Sequence, residues 1–357
     1  MEALLAQIRG GAEDVDRGRR SLAEEIGRLK TAGLLAALVN AEGVDGRWAA
    51  AGAAPWLFDT LVALGGASLP LARLYEGHVD AIGLVWRHGG AATRRLVRDA
   101  VAGGGLLGVW GADAPTAPVR ATDDLSGCLT LSGAKLFASG VGLVSLAVIT
   151  ATDADGGCRM LLVDASEASR QDAALWDMDG MVGSASGGFT LDAMRVSADY
   201  QIGKPGALFA EPWFHGGLWR ICAAQAGAIL ALAAGLHQHL QSRGQIDDPL
   251  QRQRLAHVVL AAETAMLWSR AAAAALRVAA PRHNAIEVTL LAREAVEQAA
   301  VRAIEVCERA AGTSLHSRRS PMGRMVRDLR LYLRQASLDA KLESGLGLWL
   351  ARNDRPI

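Results

Sequence analysis

Leu131-Ser132-Gly133-Ala134-Lys135-Leu136-Phe137-Ala138-Ser139-Gly140 is the stretch whose reading decides the fold. Leu129, Leu131, Leu136 and Phe137 place apolar side chains among small ones, and Ser132-Gly133 is a turn signal. The pattern predicts the end of one strand, a reversal, and a second strand closing at Ser139-Gly140. An ordinary hairpin satisfies these ten residues, so their neighbours must decide.

On the N-terminal side, residues 1 to about 100 read as helical. Leu22, Ile26, Leu29, Leu34 and Leu35 recur near the helical period within 21–38. A second helix starts at Trp56-Leu57-Phe58, and Gly65-Gly66 is expected to end it. A third runs from Leu69 to about Trp86, with Glu76 and His78 expected as satisfied polar residues of a packed helix rather than ligands. From Gly103 the period changes. Gly103 to Gly111 is a glycine-rich lead into a strand, without the GxGxxG spacing or following helix of a Rossmann site. Further strands are expected at 128–131, 135–139, 143–150, 159–163 and 188–196, which indicates an antiparallel barrel or sandwich. From about Phe209 helices return, at 213–241, 249–278, 286–311 and 322–339. Asp247 or Asp248 is positioned to cap the second of these ahead of Pro249. The fold class expected is α+β, divided into a helical domain (1–102), a β-domain (103–208) and a four-helix bundle (209–357).

Composition narrows the function. The chain has 357 residues, 51% of them hydrophobic, which is enough for a sizeable core. Lys and Arg total 37 and Asp and Glu total 37, so charge gives no case for nucleic acid or an anionic membrane. Cys128, Cys158, Cys222 and Cys307 form no CxxC or CxxH spacing, so no disulfide framework or zinc site is indicated. A reducing cytoplasm is the expected compartment, and the first residues do not read as a signal peptide. Residues 221–242 lack Asp, Glu, Lys and Arg, yet their Ala and Gly content and His237 to Gln241 favour a helix buried among helices over a membrane span. His237 and His239 lie two apart and cannot share a helix face, and with His257 they are read as surface or interface histidines rather than metal ligands.

The helical, β, helical order resembles the acyl-CoA dehydrogenase superfamily over nearly the whole chain. The quoted stretch is the first marker. Met178-Asp179-Gly180-Met181-Val182-Gly183-Ser184-Ala185-Ser186-Gly187, Phe189 to Val196 and Ile202-Gly203-Lys204-Pro205-Gly206 follow in order. Arg220 with Ala223 to Gly227, Gly312-Thr313-Ser314 and Arg324 to Asp328 complete the set.

The resemblance implies FAD held between the β-domain and helices of adjacent subunits, in a dimer or tetramer. It further implies an acyl-CoA or similar small-molecule substrate, with flavin as hydride acceptor and an electron-transfer flavoprotein as partner. The family's Trp-x-Thr falls on Phe137-Ala138-Ser139, which keeps an aromatic ring and a hydroxyl for the flavin. Its Thr-Glu-Pro loop falls on Val109-Trp110-Gly111, leaving only backbone contact there. Arg243 matches the arginine that reaches a neighbouring FAD's diphosphate, a group a guanidinium binds through two oxygens. Capping of helix carbonyls is the alternative reading of Arg243. Gly312 and Thr313 follow Glu308 at the family's Gln-x-x-Gly-Gly.

The departure concerns the base. α,β-Dehydrogenation needs a carboxylate to remove the α-proton. The family's two positions for it carry Ala336 and Trp219 here, and neither takes a proton. Glu211, Asp339 and Glu343 are the carboxylates left for a relocated role. Three functions follow: an acyl-CoA dehydrogenase-like oxidoreductase, a non-catalytic subunit paired with a Glu-bearing homologue, or a flavin monooxygenase of the same fold. The Arg243 to Leu250 stretch resembles the third.

Overall fold

A computed structural model describes residues 1–40, 56–124, 126–276, 282–334 and 337–352. Among the described residues five helices come first: α1 (Glu2–Asp16), α2 (Ala23–Thr31), α3 (Leu57–Ala67), α4 (Leu69–His88) and α5 (Ala91–Ala102). Strands β1 (Leu106–Trp110), β2 (Arg120–Asp123), β3 (Cys128–Ser132), β4 (Ala134–Ala138) and β5 (Val144–Thr152) follow. Then come β6 (Cys158–Asp164), β7 (Gln171–Asp172), β8 (Gly187–Thr190) and β9 (Arg195–Ser197). The chain closes on a short α6 (Trp213–Gly216) and long helices α7 (Trp219–Ser242), α8 (Pro249–Ala275), α9 (Ala285–Ala311), α10 (Pro321–Leu333) and α11 (Leu338–Leu350). One cluster of buried apolar side chains runs through all three stretches, from Ile8 through Leu107 and Ile149 to Leu333.

The β-region is two open sheets. One has the order β1-β5-β2-β3-β9 with β6 paired to β5, and the other is β4-β8-β7. No closed barrel is found among the described residues. The expected antiparallel pattern holds for most pairs, but β1 runs parallel to β5, from Leu106 opposite Val144 to Trp110 opposite Ile149. The sheets meet where Trp110 of the first packs on Phe189 of the second, with ring centroids 5.1 Å apart.

The expected reversal at Ser132-Gly133 is a corner. β3 pairs with β2 and β9 in one sheet, while β4 pairs with β8 in the other. The chain therefore changes sheets at Gly133, which has φ +95°, and a Cβ there would lie 2.5 Å from the Pro118 carbonyl oxygen. Only glycine fits such a position. Its amide donates to Asp192 Oδ1 at 2.7 Å, so the turn after β8 clamps the corner.

Gly65 and Gly66 fall in the last turn of α3, which ends at Ala67, and a Cβ on them would meet the Ala224 and Gly227 carbonyl oxygens of α7 at 2.0 and 3.1 Å. They allow two helices to touch backbone to backbone. The helix expected at 322–339 stops at Leu333 and a further one, α11, begins at Leu338. Near 213–218 the expected single helix is broken into α6 and α7. Asp248 is the cap of α8, accepting the Gln251 amide at 2.8 Å.

By length and composition α7 and α8 could each cross a membrane, yet 67% of the apolar window of α7 is buried inside the protein. It packs on α3, α8 and α9, the burial expected of it.

Candidate functional site

β4 carries the quoted stretch. Lys135, 1% exposed, anchors it from behind by donating to Asp113 Oδ1 at 2.6 Å and Thr150 Oγ1 at 2.8 Å. That ion pair and hydroxyl offset the burial of the ammonium, although burial still lowers the Lys135 pKa. Trp110 braces the far end: its ring is buried and its Nε1 donates to the Ser139 carbonyl at 3.0 Å. The Trp110 side chain is thus a strut behind the wall, while half-buried Val109 precedes it on β1.

In front of these supports Phe137 is turned outward. It is 50% exposed, has φ +56°, and meets Trp176 edge to face with centroids 6.3 Å apart. Leu175 (53% exposed) and Met178 (38%), which flank Trp176 in sequence, are exposed as well. Beside the ring, Ser139 is half-buried, and its Oγ lies 2.9 Å from Ser186 Oγ, which lies 2.9 Å from Ser184 Oγ.

Backbone strain is concentrated here. Among the described residues five non-glycine positions have positive φ, and three of them, Phe137 (56°), Met181 (53°) and Ala185 (42°), belong to this wall. A left-handed non-glycine residue costs roughly 1–2 kcal/mol, so it persists only where its surroundings over-determine it. The surroundings do so. Gly140 N–H donates to the Ser184 carbonyl at 2.7 Å, and Trp176 Nε1 to the Met181 carbonyl at 3.0 Å. Met181 N–H donates to the buried Asp328 carboxylate of α10 at 2.5 Å. Arg327 reaches the Asp179 carbonyl at 3.1 Å and pairs with Asp16 of α1 at 2.6 Å. Burial raises the Asp328 pKa to about 7, a rise opposed by the Met181 N–H. The Arg-Asp pair of α10 therefore fastens the loop that carries Trp176, Ser184 and Ser186.

The other expected site residues lie elsewhere. Arg243 is exposed at the end of α7, and Gly312 and Thr313 are exposed in the turn after α9. Gln251 Nε2 donates to the Ala310 carbonyl at 3.5 Å, which places both groups at one end of the helical region. Glu308 pairs with Arg330 at 2.6 Å. Ala336 lies outside the described residues. Trp219 is 2% exposed and stacks on Phe58, so it is a packing residue between α3 and α7. Its neighbour Arg220 is held by Asp80 at 2.5 Å, with Glu76 at 3.7 Å, and Glu76 in turn holds Arg73 at 2.8 Å.

Of the three carboxylates left for a relocated base, all exposed, Glu211 holds His215 Nδ1 at 2.5 Å and Glu343 lies on α11. Asp339 lines an open groove of about 800 Å³ between α9 and α11 with Glu297 and Arg334. His78 is a core residue: Nδ1 accepts the Leu107 amide at 3.1 Å and Nε2 faces the Leu35 carbonyl at 2.8 Å. Burial lowers its pKa to about 4, so the ring is neutral. His237 and His257 are exposed, and no cluster able to hold a metal occurs among the described residues.

Trp176, Ser184 and Ser186 were not expected as site residues. A signal for the serines existed, since Ser184-Ala185-Ser186 puts two hydroxyls at i and i+2, the spacing that aligns side chains in extended chain.

No protein-family model matches the chain, and no curated protein matches it in sequence. Solved structures do match in shape. FMN-bound TdsC from Paenibacillus sp. A11-2 superposes with TM-score 0.83 at 18% identity, covering 99% of this chain and 96% of that one. KijD3 in complex with FMN and a dTDP-linked sugar gives 0.82 at 21% identity, covering 99% and 93%. A nitrososynthase from Micromonospora carbonacea var. africana gives 0.80 at 20% identity, covering 98% and 95%. The chain has the acyl-CoA dehydrogenase-like fold that these structures share.

Proposed function

We propose that this chain is a flavin-dependent monooxygenase that takes FMN against the wall made by Phe137, Trp176 and Ser139. The observation that carries the reading is the outward-turned, left-handed Phe137 beside a half-buried hydroxyl, held by supports from three directions. A strained residue kept exposed is better explained by a ligand than by packing. Two structures of this fold, TdsC and KijD3, are described with FMN bound, and TdsC is described as a dibenzothiophene monooxygenase.

Reduced flavin supplies electrons for activating dioxygen. Phe137 offers a flat apolar face to the ring system, and Ser139 offers a hydroxyl to its polar edge. Trp110 and Lys135 hold β4 rigid behind them, which fixes the position of both groups.

Oxidation of an acyl thioester at its CH–CH bond is less well supported. It requires a carboxylate beside the ring, and the two positions that the resemblance implies for one carry Ala336 and the packing residue Trp219.

The test is a titration of the purified chain with FMN and FAD, oxidised and reduced, followed by flavin fluorescence and visible absorption. FMN is expected to bind, and Phe137→Ala to weaken it at least tenfold, in line with the loss of one aromatic contact of about 1.5 kcal/mol. Oxidised flavin bound to the chain is expected to stay oxidised when acyl-CoA is added without air. Absence of binding by any flavin form overturns the reading. Anaerobic bleaching by acyl-CoA returns the chain to the dehydrogenases.

A further inference from the structure

Ser139 does not stand alone: behind it Ser186 and Ser184 are 5% and 1% exposed, and the three oxygens form a chain with both spacings at 2.9 Å. Each hydroxyl has one proton to donate. Ser186, in the middle, can donate to only one of its two neighbours. When it donates to Ser139, the Ser139 O–H is free to point outward and donate; when it accepts from Ser139, the Ser139 lone pairs face outward.

The inner end of the chain is sealed from water. Three serines ending at a buried oxygen have no outlet through which to gain or lose a proton, so they cannot act as a net proton conduit. What they can do is fix the rotor of the outermost hydroxyl. The fixing is rigid because Ser184 and Ser186 flank left-handed Ala185, in a turn whose carbonyls at Ser184 and Ala185 accept the Gly140 and Val141 amides at 2.7 and 3.2 Å. The same segment that carries Ser139 is therefore bonded to the turn through both backbone and side chain.

We infer that Ser186, backed by Ser184, is a positioning residue that sets the direction of the Ser139 hydroxyl and thereby the relative affinity of the site for oxidised and reduced flavin. The inference rests on the flavin reading above and adds a residue pair to it. A hydroxyl held in one direction discriminates between a ring nitrogen that accepts a hydrogen bond and one that donates it, whereas a free rotor serves both equally.

The experiment measures dissociation constants of oxidised and reduced FMN, and the midpoint potential of the bound flavin, for the whole chain and five variants. Ser186→Ala is expected to change the ratio of the two affinities about tenfold, equivalent to about 30 mV in a two-electron potential. Ser184→Ala is expected to move it about threefold in the same direction. Ser186→Thr, which restores the hydroxyl, is expected within twofold of the parent. Ser139→Ala is expected to move the ratio at least as far as Ser186→Ala, and adding Ser186→Ala to it to change nothing more. Thermal melting of each variant checks that the fold is kept.

If the parent binds FMN and Ser139→Ala shifts the ratio while Ser186→Ala leaves it unchanged, the positioning role is overturned and the flavin reading stands. Additive shifts in the double variant overturn it as well, since they would mean that Ser186 acts independently of Ser139. If no flavin binds the parent, both readings fall together.

Discussion

The wall around Ser139 and the helix junction around Trp219 are both places where this fold could do chemistry, and they are built in opposite ways. At the wall, an aromatic ring is pushed into solvent at φ +56° and every support lies behind it. At the junction, Trp219 is buried on Phe58 and the nearby charges are consumed in the Arg220–Asp80–Glu76–Arg73 network. Strain and exposure sit together in one, packing and charge pairing in the other. A group that must meet a ligand is kept accessible at a conformational cost, and one that holds helices together is satisfied internally. The contrast puts the strained, accessible group on the β-sheet side and the packed, internally paired groups at the α4–α7 contact.

The contrast breaks if the wall is not maintained by α10. Gly180 is where the two meet, since a Cβ there would lie 2.3 Å from the Arg327 carbonyl oxygen and 3.0 Å from the Asp328 amide nitrogen. Both are backbone atoms and cannot swing aside. Gly180→Ala is expected to cost about 4 kcal/mol or more, or to lift the 176–187 loop off α10 and abolish flavin binding. Urea unfolding and FMN titration separate the two results. A variant that is as stable and binds FMN as tightly as the parent removes α10 from the account of the wall.

A smaller effect sharpens the same contrast through pH. Asp328, raised to about 7 from an ordinary 3.8, contributes stability in full below 3.8 and loses it as pH rises toward 7. His78, lowered to about 4 from 6.5, does the reverse, contributing fully above 6.5 and losing stability as pH falls toward 4. The two slopes oppose each other, which flattens the parent's stability across this range. Asn at 328 keeps an oxygen for the Met181 amide without the buried charge. Asp328→Asn should therefore unmask the His78 slope and raise stability at neutral pH by about 2 kcal/mol, less than the full burial penalty because the charge-assisted bond to Met181 is also lost. Melting curves between pH 5 and 7.5, roughly, would show it. An unchanged profile means that Asp328 is ionised and well solvated in the folded protein.

The β4 wall was legible because its signals are local: alternating apolar positions, a turn glycine, and an aromatic two residues from a hydroxyl. Its partners were not, because Trp176, Ser186 and Asp328 come from segments 37 or more positions away and reach the wall only through the sheet change at Gly133 and the docking of α10. The sequence likewise shows two residues in Ser132-Gly133 that any turn would use, and hairpin and corner differ only in which strand β4 pairs with. Gly65-Gly66 read as the end of a helix, and α3 does end at Ala67, but its second role lay out of sight for a related reason: against Ala224 and Gly227 the pair is what lets α3 and α7 come together. The base positions that the resemblance implies carry Ala336 and Trp219 in the sequence, and of these Trp219 is a buried packing residue while Ala336 lies outside the described residues.

The smallest expected effect concerns cofactor size. A diphosphate-bearing flavin needs a donor beyond the wall, and Arg243 with Gly312 and Thr313, gathered at one end of the helical region, is the set the resemblance offers for it. FMN ends at its single phosphate and makes no demand on a diphosphate-binding arginine. Arg243→Ala is thus expected to change FMN affinity less than twofold, under about 0.4 kcal/mol. Its effect on FAD carries the information. If FAD binds the parent more tightly than FMN and the variant loses about tenfold for FAD alone, Arg243 grips a diphosphate and the site is built for the dinucleotide. If both flavins bind the variant as they bind the parent, recognition is confined to the wall, and the exposed Arg243 at the end of α7 is a helix-terminal cation whose interaction is with its own carbonyls.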